Sequence, residues 1–554
     1  MVLRSSIALI VAAVVAAGPA GVAAAGRKTV CTITVNSADE RETLRRRLPA
    51  DEFDFVELVE RGRPDWLASA CQKQVRCDAL LISGHFDGGT EFYSDRLDAR
   101  EYLPVDELER ASCSDSCPGL FAQLKEVYLF GCNTLNAEAL KFASAEIERS
   151  LLRSGHSRAD AEQISRALNA RHGESNRDRM RLIFKDVPVL YGFSSKAPLG
   201  PVAATLLERY FQSESGADFA TGHVDPKLLG LFAPSSMTLA AGLDDADPLS
   251  GHRQDVCRFA DERLTMAQKL DFTHRLMGRE MAEVRMFLDR IEKQAGTVTA
   301  TTRQAPEVAA ALDAIAGDTG ARDRYLDLAR DADELSTRVR MLDVARTIGW
   351  LSPEAHRTAV LRVIGDQAAR NAIGPEDVDL VCRLNQDRRL DDAARRIDVP
   401  RAQAMKPGPA AALACLGHAD SRMQVLRALT SADGNDAEIA QVYLGHRPVG
   451  DVDELRAMTT SIAQSQIAAA QVRALDTLAG LRLSDRESLD ALTRLFPRTR
   501  SLLVQRAIAG VLIRSDYHAI ATADVVRVLR QHRLRSPEGD DVIDVLIRRL
   551  QASS

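Results

Sequence analysis

Residues 77–89 read CDALLISGHFDGG, an almost unbroken apolar run that stops abruptly at Ser83-Gly84-His85. A strand that is apolar at every position has no face for solvent, so it belongs inside a parallel sheet covered on both sides. The pattern recurs at 127–136, VYLFGCNTLN, where the run from Glu126 to Phe130 stops at Gly131-Cys132. Working outward, the β-branched stretch 29–36 (TVCTITVN), Phe53–Val59 and Val187–Phe193 predict three more strands. Helices are predicted over Ala38–Leu48, Pro64–Gln74, Ala137–Ala170 and Pro201–Phe211, and a polar insert of hairpin character over Gly88 to about Leu103. This alternation predicts an α/β domain spanning 26–212, with a mostly parallel sheet and helices on both faces. Ligands of such sheets bind beyond the carboxyl ends of the strands. His85 and Cys132 both stand there.

The chain has 554 residues, too many for one core, so several folded units are expected. Its 45% hydrophobic and 27% charged residues exclude collagen-like, disordered and multi-span membrane classes. A net charge of −6 lacks the basic footprint that a phosphate backbone requires, so no nucleic-acid partner is expected. At the N-terminus Arg4 precedes an apolar run from Ile7 to Ala17, and small residues follow at Ala23-Ala24-Ala25. This is the layout of a signal peptide over 1–25, cleaved after Ala25. An uncleaved anchor is the alternative, but the run is short and broken at Gly18-Pro19. The mature chain is therefore expected to be periplasmic or secreted, with no stable membrane span. In an oxidising compartment the nine cysteines read as disulfide partners, and the odd number leaves at least one free or paired between chains. Their connectivity stays open.

Residues 213–252 are rich in Gly, Ser, Asp and Pro and read as a connector. Residues 253–295 carry apolar residues at helical spacing and read as one long helix or a helical hairpin. From 305 to 554 the pattern is helix, short polar turn, helix. Similar phrases recur: Val339-Arg340-Met341-Leu342, Val472-Arg473-Ala474-Leu475 and Gln505-Arg506-Ala507-Ile508. They resemble HEAT-type repeats, which implies a curved α-helical solenoid; an irregular helical bundle is the alternative. Either offers a surface for a protein partner.

The chemistry is expected where the two apolar strands end. A thiol becomes nucleophilic beside a base, and an imidazole next to it serves that role. Ser83-Gly84-His85 and Phe130-Gly131-Cys132, followed by Asn133-Thr134, resemble the paired motifs of the caspase-like cysteine peptidases, and are most similar to the CHAT branch. The resemblance spans roughly residues 29–212. It implies a caspase-like fold, with Cys132 as nucleophile, His85 as general acid/base, and the backbone N–H groups of Phe86 and Cys132 as oxyanion donors. Two departures stand out: Phe86 occupies a position that is usually glycine, and Phe130 stands where relatives that cut after Lys or Arg often hold an acid. Asp87, Ser194 and Ser195 are candidate substrate-groove residues, each with a plain turn as its alternative. No Walker loop, dinucleotide glycine signature or Gly-x-Ser-x-Gly elbow is present, and neither cofactor nor metal is expected. The expected function is an exported cysteine peptidase acting on a protein or peptide, with the helical repeats recruiting substrate or partner. The alternative is a catalytically inactive domain in a protein-interaction scaffold.

Overall fold

The computed structural model describes residues 27–59, 67–95, 101–114, 117, 119–138, 144–153, 155–172, 174–212, 219–391, 397–536 and 541–553. The signal segment expected at 1–25 lies outside these residues. The chain forms two compact units, one from the described residues below 143 together with 166–265, the other from 143–165 together with those beyond 265.

The first unit begins β1 (Lys28–Thr34), α1 (Asp39–Arg47), β2 (Phe53–Val59), α2 (Ala68–Gln72) and β3 (Ala79–Ser83). Three short strands follow, β4 (His85–Phe86), β5 (Glu91–Tyr93) and β6 (Tyr102–Pro104), then α3 (Val105–Cys113) and β7 (Glu126–Phe130). α4 (Ser144–Arg153) and the start of α5 (Arg158–His172) belong to the second unit, and the first resumes with the rest of α5, then α6 (Asn176–Ile183), β8 (Val189–Phe193) and α7 (Gly200–Gln212). The unit closes with α8 (Pro226–Phe232), β9 (Met237–Ala240) and α9 (Ser250–Ala260). Strands run β2-β1-β3-β7-β8-β9, the first five parallel and β9 antiparallel to β8 at the edge. β4, β5 and β6 form a separate antiparallel sheet.

Every residue of β3, β7 and β8 is buried, as their unbroken apolar runs require. Alternation sends Leu81, Tyr128, Phe130, Tyr191 and Phe193 to one face, against Leu44, Ala203 and Leu207 of α1 and α7. Leu80, Ile82, Val127, Leu129 and Leu190 face the other way, against Leu108, Met180 and Ile183 of α3 and α6. Each such Leu or Ile contributes about 1.5–3 kcal/mol on burial. A carboxyl group enters this core. Glu126, 1% exposed at the start of β7, accepts hydrogen bonds from Tyr128 Oη (2.7 Å) and the N–H groups of Ala220 (2.8 Å), Thr221 (3.0 Å) and Gly222 (2.9 Å). Ala220 and Gly222 adopt positive φ, which turns successive N–H groups toward the carboxylate.

Residues 213–252 do more than connect. They include α8 and β9, which pairs Met237–Ala240 with Phe193–Leu190 of β8. Four residues amid Gly, Ser and Pro make too short a pattern to stand out, and pairing to β8 creates the strand. The stretch 253–295 is not one helix or a hairpin. It divides into the rest of α9, then α10 (Met266–Met277), α11 (Met281–Met286) and α12 (Leu288–Gly296). Asp261 ends α9 by accepting the Arg263 N–H in a tight turn, and α10 stops just before Gly278.

The second unit is all-helical beyond α4, with α13 (Pro306–Gly317), α14 (Thr319–Asp331), α15 (Leu335–Thr347), α16 (Pro353–Ala369) and further helices to Ser553. The recurring phrases fall inside helices, and their apolar members Val339, Leu342, Ala474, Leu475 and Ile508 are buried. Their arginines tie these helices to neighbouring segments: Arg340 to Asp289 and Glu292, Arg473 to the Ser431 carbonyl (3.1 Å), and Arg506 to Asp541 (3.2 Å). A groove of about 860 Å³ opens between α14 and α16, floored by Leu326, Leu342 and Val363.

Four disulfides join Cys31–Cys77, Cys71–Cys117 and Cys113–Cys257 in the first unit and Cys382–Cys415 in the second. They are compatible with an oxidising, extracellular or periplasmic setting. Among the described residues, no helix is long and apolar enough to cross a membrane.

Candidate active site at the carboxyl edge of the sheet

β3 and β7 are parallel neighbours, with Ser83 in register with Phe130. His85 and Cys132 each lie two residues beyond that pair, on adjacent strand ends. The edges approach closely because Gly84 and Gly131 separate the strands from His85 and Cys132. The Gly84 N–H donates to the Phe130 carbonyl (3.1 Å), and a Cβ on Gly131 would come within 2.9 Å of Phe86 Cβ and 3.1 Å of the Gly84 oxygen.

Cys132 is half-buried and is the one cysteine outside the four disulfides. Its Sγ accepts a hydrogen bond from the Ala197 N–H (3.3 Å). The turn behind it is fixed. Asn133 adopts a left-handed φ of 60° and donates its N–H to the Ser195 carbonyl (2.6 Å). Thr134 donates to the Gly131 carbonyl (3.1 Å) and accepts from the Phe193 N–H (3.1 Å), clamping the end of β7 to β8. Among the described residues, the backbone N–H of Cys132 has no hydrogen-bond acceptor.

His85 opens β4 and pairs with Tyr93 of β5, whose ring flanks the imidazole at 5.4 Å between centroids. The Asp87 N–H donates to the Glu91 carbonyl (3.3 Å). Antiparallel alternation therefore makes His85–Tyr93 a hydrogen-bonded pair and Phe86–Phe92 a non-bonded one. The Phe86 N–H therefore points away from β5. Its side chain packs inward against Phe92 (4.8 Å), so the residue that departs from glycine adds its bulk to the core.

Asp87 does not line a groove with free oxygens. Its carboxylate accepts the N–H groups of Gly89 (3.0 Å), Thr90 (2.8 Å) and Glu91 (3.0 Å) and the Thr90 hydroxyl. Partial burial would raise its pKa, but the donors of Glu91, Thr90 and Gly89 outweigh this and lower it. It is a turn residue. Ser194 and Ser195 are exposed and belong to the loop that carries the Ala197 donor to Cys132. Ser236 braces that loop, its carbonyl accepting the Ser194 N–H (3.1 Å) and its hydroxyl the Ser195 N–H (3.0 Å).

Two acidic residues at this edge escape the sequence reading. Asp95 Oδ2 lies 3.2 Å from His85 Nε2, brought there because β5 folds back on β4. No spacing rule marks an acid ten residues after a histidine. Glu40 in α1 is 2% exposed and accepts from the Ser83 hydroxyl (3.1 Å), just before the Gly84-His85 turn. Burial pushes its carboxyl up to about 7, with help from the charge of Asp39 and against the donors of its own backbone and Ser83. Among the described residues, no group of three His, Cys, Asp or Glu side chains is placed to hold a metal ion.

No protein-family model and no curated protein matches the chain. A solved structure described as an engineered protein is similar at 14% identity over 74% of this chain and 98% of its own, with a TM-score of 0.25. A likeness that slight does not define a shared fold.

Proposed function

We propose that the protein is an exported cysteine peptidase of the caspase-like kind, with a HEAT-like helical region that recruits a protein substrate or partner. The observation that carries this reading is the β3–β7 register. It sets an imidazole and the one unpaired thiol on adjacent strand ends, beside the N–H of Phe86, which points away from β5, and the N–H of Cys132, which has no acceptor among the described residues. The Cys132 proton passes to His85 and the thiolate attacks a peptide carbonyl carbon. The oxyanion forms against the N–H groups of Phe86 and Cys132. The C–N bond breaks as His85 returns its proton to the leaving amine. Water, giving its proton to His85, then hydrolyses the thioester and restores the thiol. The four disulfides support export, and the apolar-floored groove between α14 and α16 supports recruitment.

The test is limited alkylation of the unreduced protein with iodoacetamide over pH 5–9, mapped by peptide mass, beside a screen of protein substrates. The reading expects preferential labelling of Cys132 near neutral pH, slower labelling in His85→Ala, and loss of cleavage in Cys132→Ala. Labelling independent of His85, or proteolysis surviving Cys132→Ala, overturns it.

A further inference from the structure

We propose that Asp95 is the positioning residue of the dyad: its carboxylate beside Nε2 holds His85 in the Nε2–H form, leaving Nδ1 to take the Cys132 proton. The inference rests on the reading of His85 as the base, and it adds a third group that orients that base. Nε2 is itself buried and, among the described residues, has no hydrogen-bond partner, although the His85 side chain is 27% exposed. A buried ring nitrogen without a partner is costly to leave unmade. The Asp95 oxygen stands at 3.2 Å but off the N–H direction, so a small movement completes the bond. Tyr93, held opposite His85 by the β4–β5 pairing, flanks the ring and limits its rotation. An imidazole bonded to a carboxylate through one nitrogen presents the lone pair of the other, which is the form a general base needs. The geometry assigns Nε2 to Asp95 and thereby Nδ1 to chemistry.

The Asp95 side chain is 68% exposed, so the coupling belongs to the weak, salt-screened class. The expected effects are correspondingly modest, about two- to fivefold. The experiment uses the full chain with ¹⁵N-labelled histidine, and assigns the His85 ring signals by their loss in His85→Gln. At low salt and mildly alkaline pH the wild type should show mainly the Nε2–H tautomer. Asp95→Asn and Asp95→Ala should move the ratio toward Nδ1–H by about two- to fivefold and slow iodoacetamide alkylation of Cys132 comparably. Asp95→Glu should restore both, and 0.5 M NaCl should reduce the wild-type preference while leaving the two variants unchanged. A tautomer ratio that does not respond to Asp95→Asn or Asp95→Ala overturns the proposal. Because the ring signals need no substrate, a responding tautomer in a protein that cleaves nothing would sustain the role of Asp95 while removing the peptidase reading.

Discussion

Gly131→Ala is the sharpest perturbation of the strand edge. The added methyl carbon would stand 2.9 Å from Phe86 Cβ, 3.1 Å from the Gly84 carbonyl oxygen and 3.2 Å from Phe92 Cε1. The two contacts with carbon lie inside the about 3.5–4.0 Å of ordinary carbon contact. The nearest two atoms are fixed to the β3–β4 backbone and cannot rotate away, so the strand ends must separate by roughly half an ångström. Overpacking of this kind costs about 1–3 kcal/mol. Displacement of Cys132 relative to His85 should also slow any reaction that uses both, since misplacement by about 1 Å can cost 10²-fold. Urea unfolding would measure the first effect and His85-dependent alkylation of Cys132 the second. Gly230→Ala in α8 serves as the control, since a methyl there meets nothing within 4 Å and a helical alanine is neutral or stabilising. If Gly131→Ala unfolds at the wild-type urea concentration and alkylates at the wild-type rate, the close approach of the two strand ends is wrong.

Two further substitutions probe the buried carboxyls. Glu126→Gln replaces two accepting oxygens by one oxygen and one donating amide, leaving two of the four donors, buried or part-buried, facing a donor. A loss of about 3 kcal/mol or more is expected in urea unfolding, and a loss under about 1 kcal/mol would show that the carboxylate is not the hub of that turn. Glu40 is expected to act through pH. Its carboxyl stands at about 7 when folded against 4.5 ordinarily. The folded chain therefore holds this proton longer than the unfolded one, and stability declines as pH rises from about 4.5 to about 7. The decline amounts to about 3 kcal/mol by pH 8. Glu40→Gln should abolish that component, so that the variant gains on wild type between pH 4 and pH 8. A pH-independent difference between the two would refute the raised pKa.

Much of the first unit is written locally. The runs ALLI and VYLF are apolar on both faces, so burial on both sides and central strand positions follow from composition there, whereas the burial of Glu126 depends on donors from residues 220–222. Asp87 also obeys a local rule, because its carboxylate serves the donors two, three and four residues on. Asp95 and Glu40 follow no local rule. One reaches His85 through the β4–β5 fold-back, the other reaches Ser83 from a helix more than forty residues away.

The alternation of strands and helices, the placing of His85 and Cys132 at strand ends and an odd number of cysteines are therefore legible along the chain. Each depends on neighbours in the chain: period-two or unbroken apolarity, an abrupt polar stop, simple counting. The folding of distant segments onto one another sets β3 beside β7 and pairs Cys113 with Cys257 rather than with nearby Cys117. It also makes a short segment after Pro226 complete the sheet as β9. These are pairings between distant segments, set by which apolar faces can be covered together, and no window along the chain contains both partners.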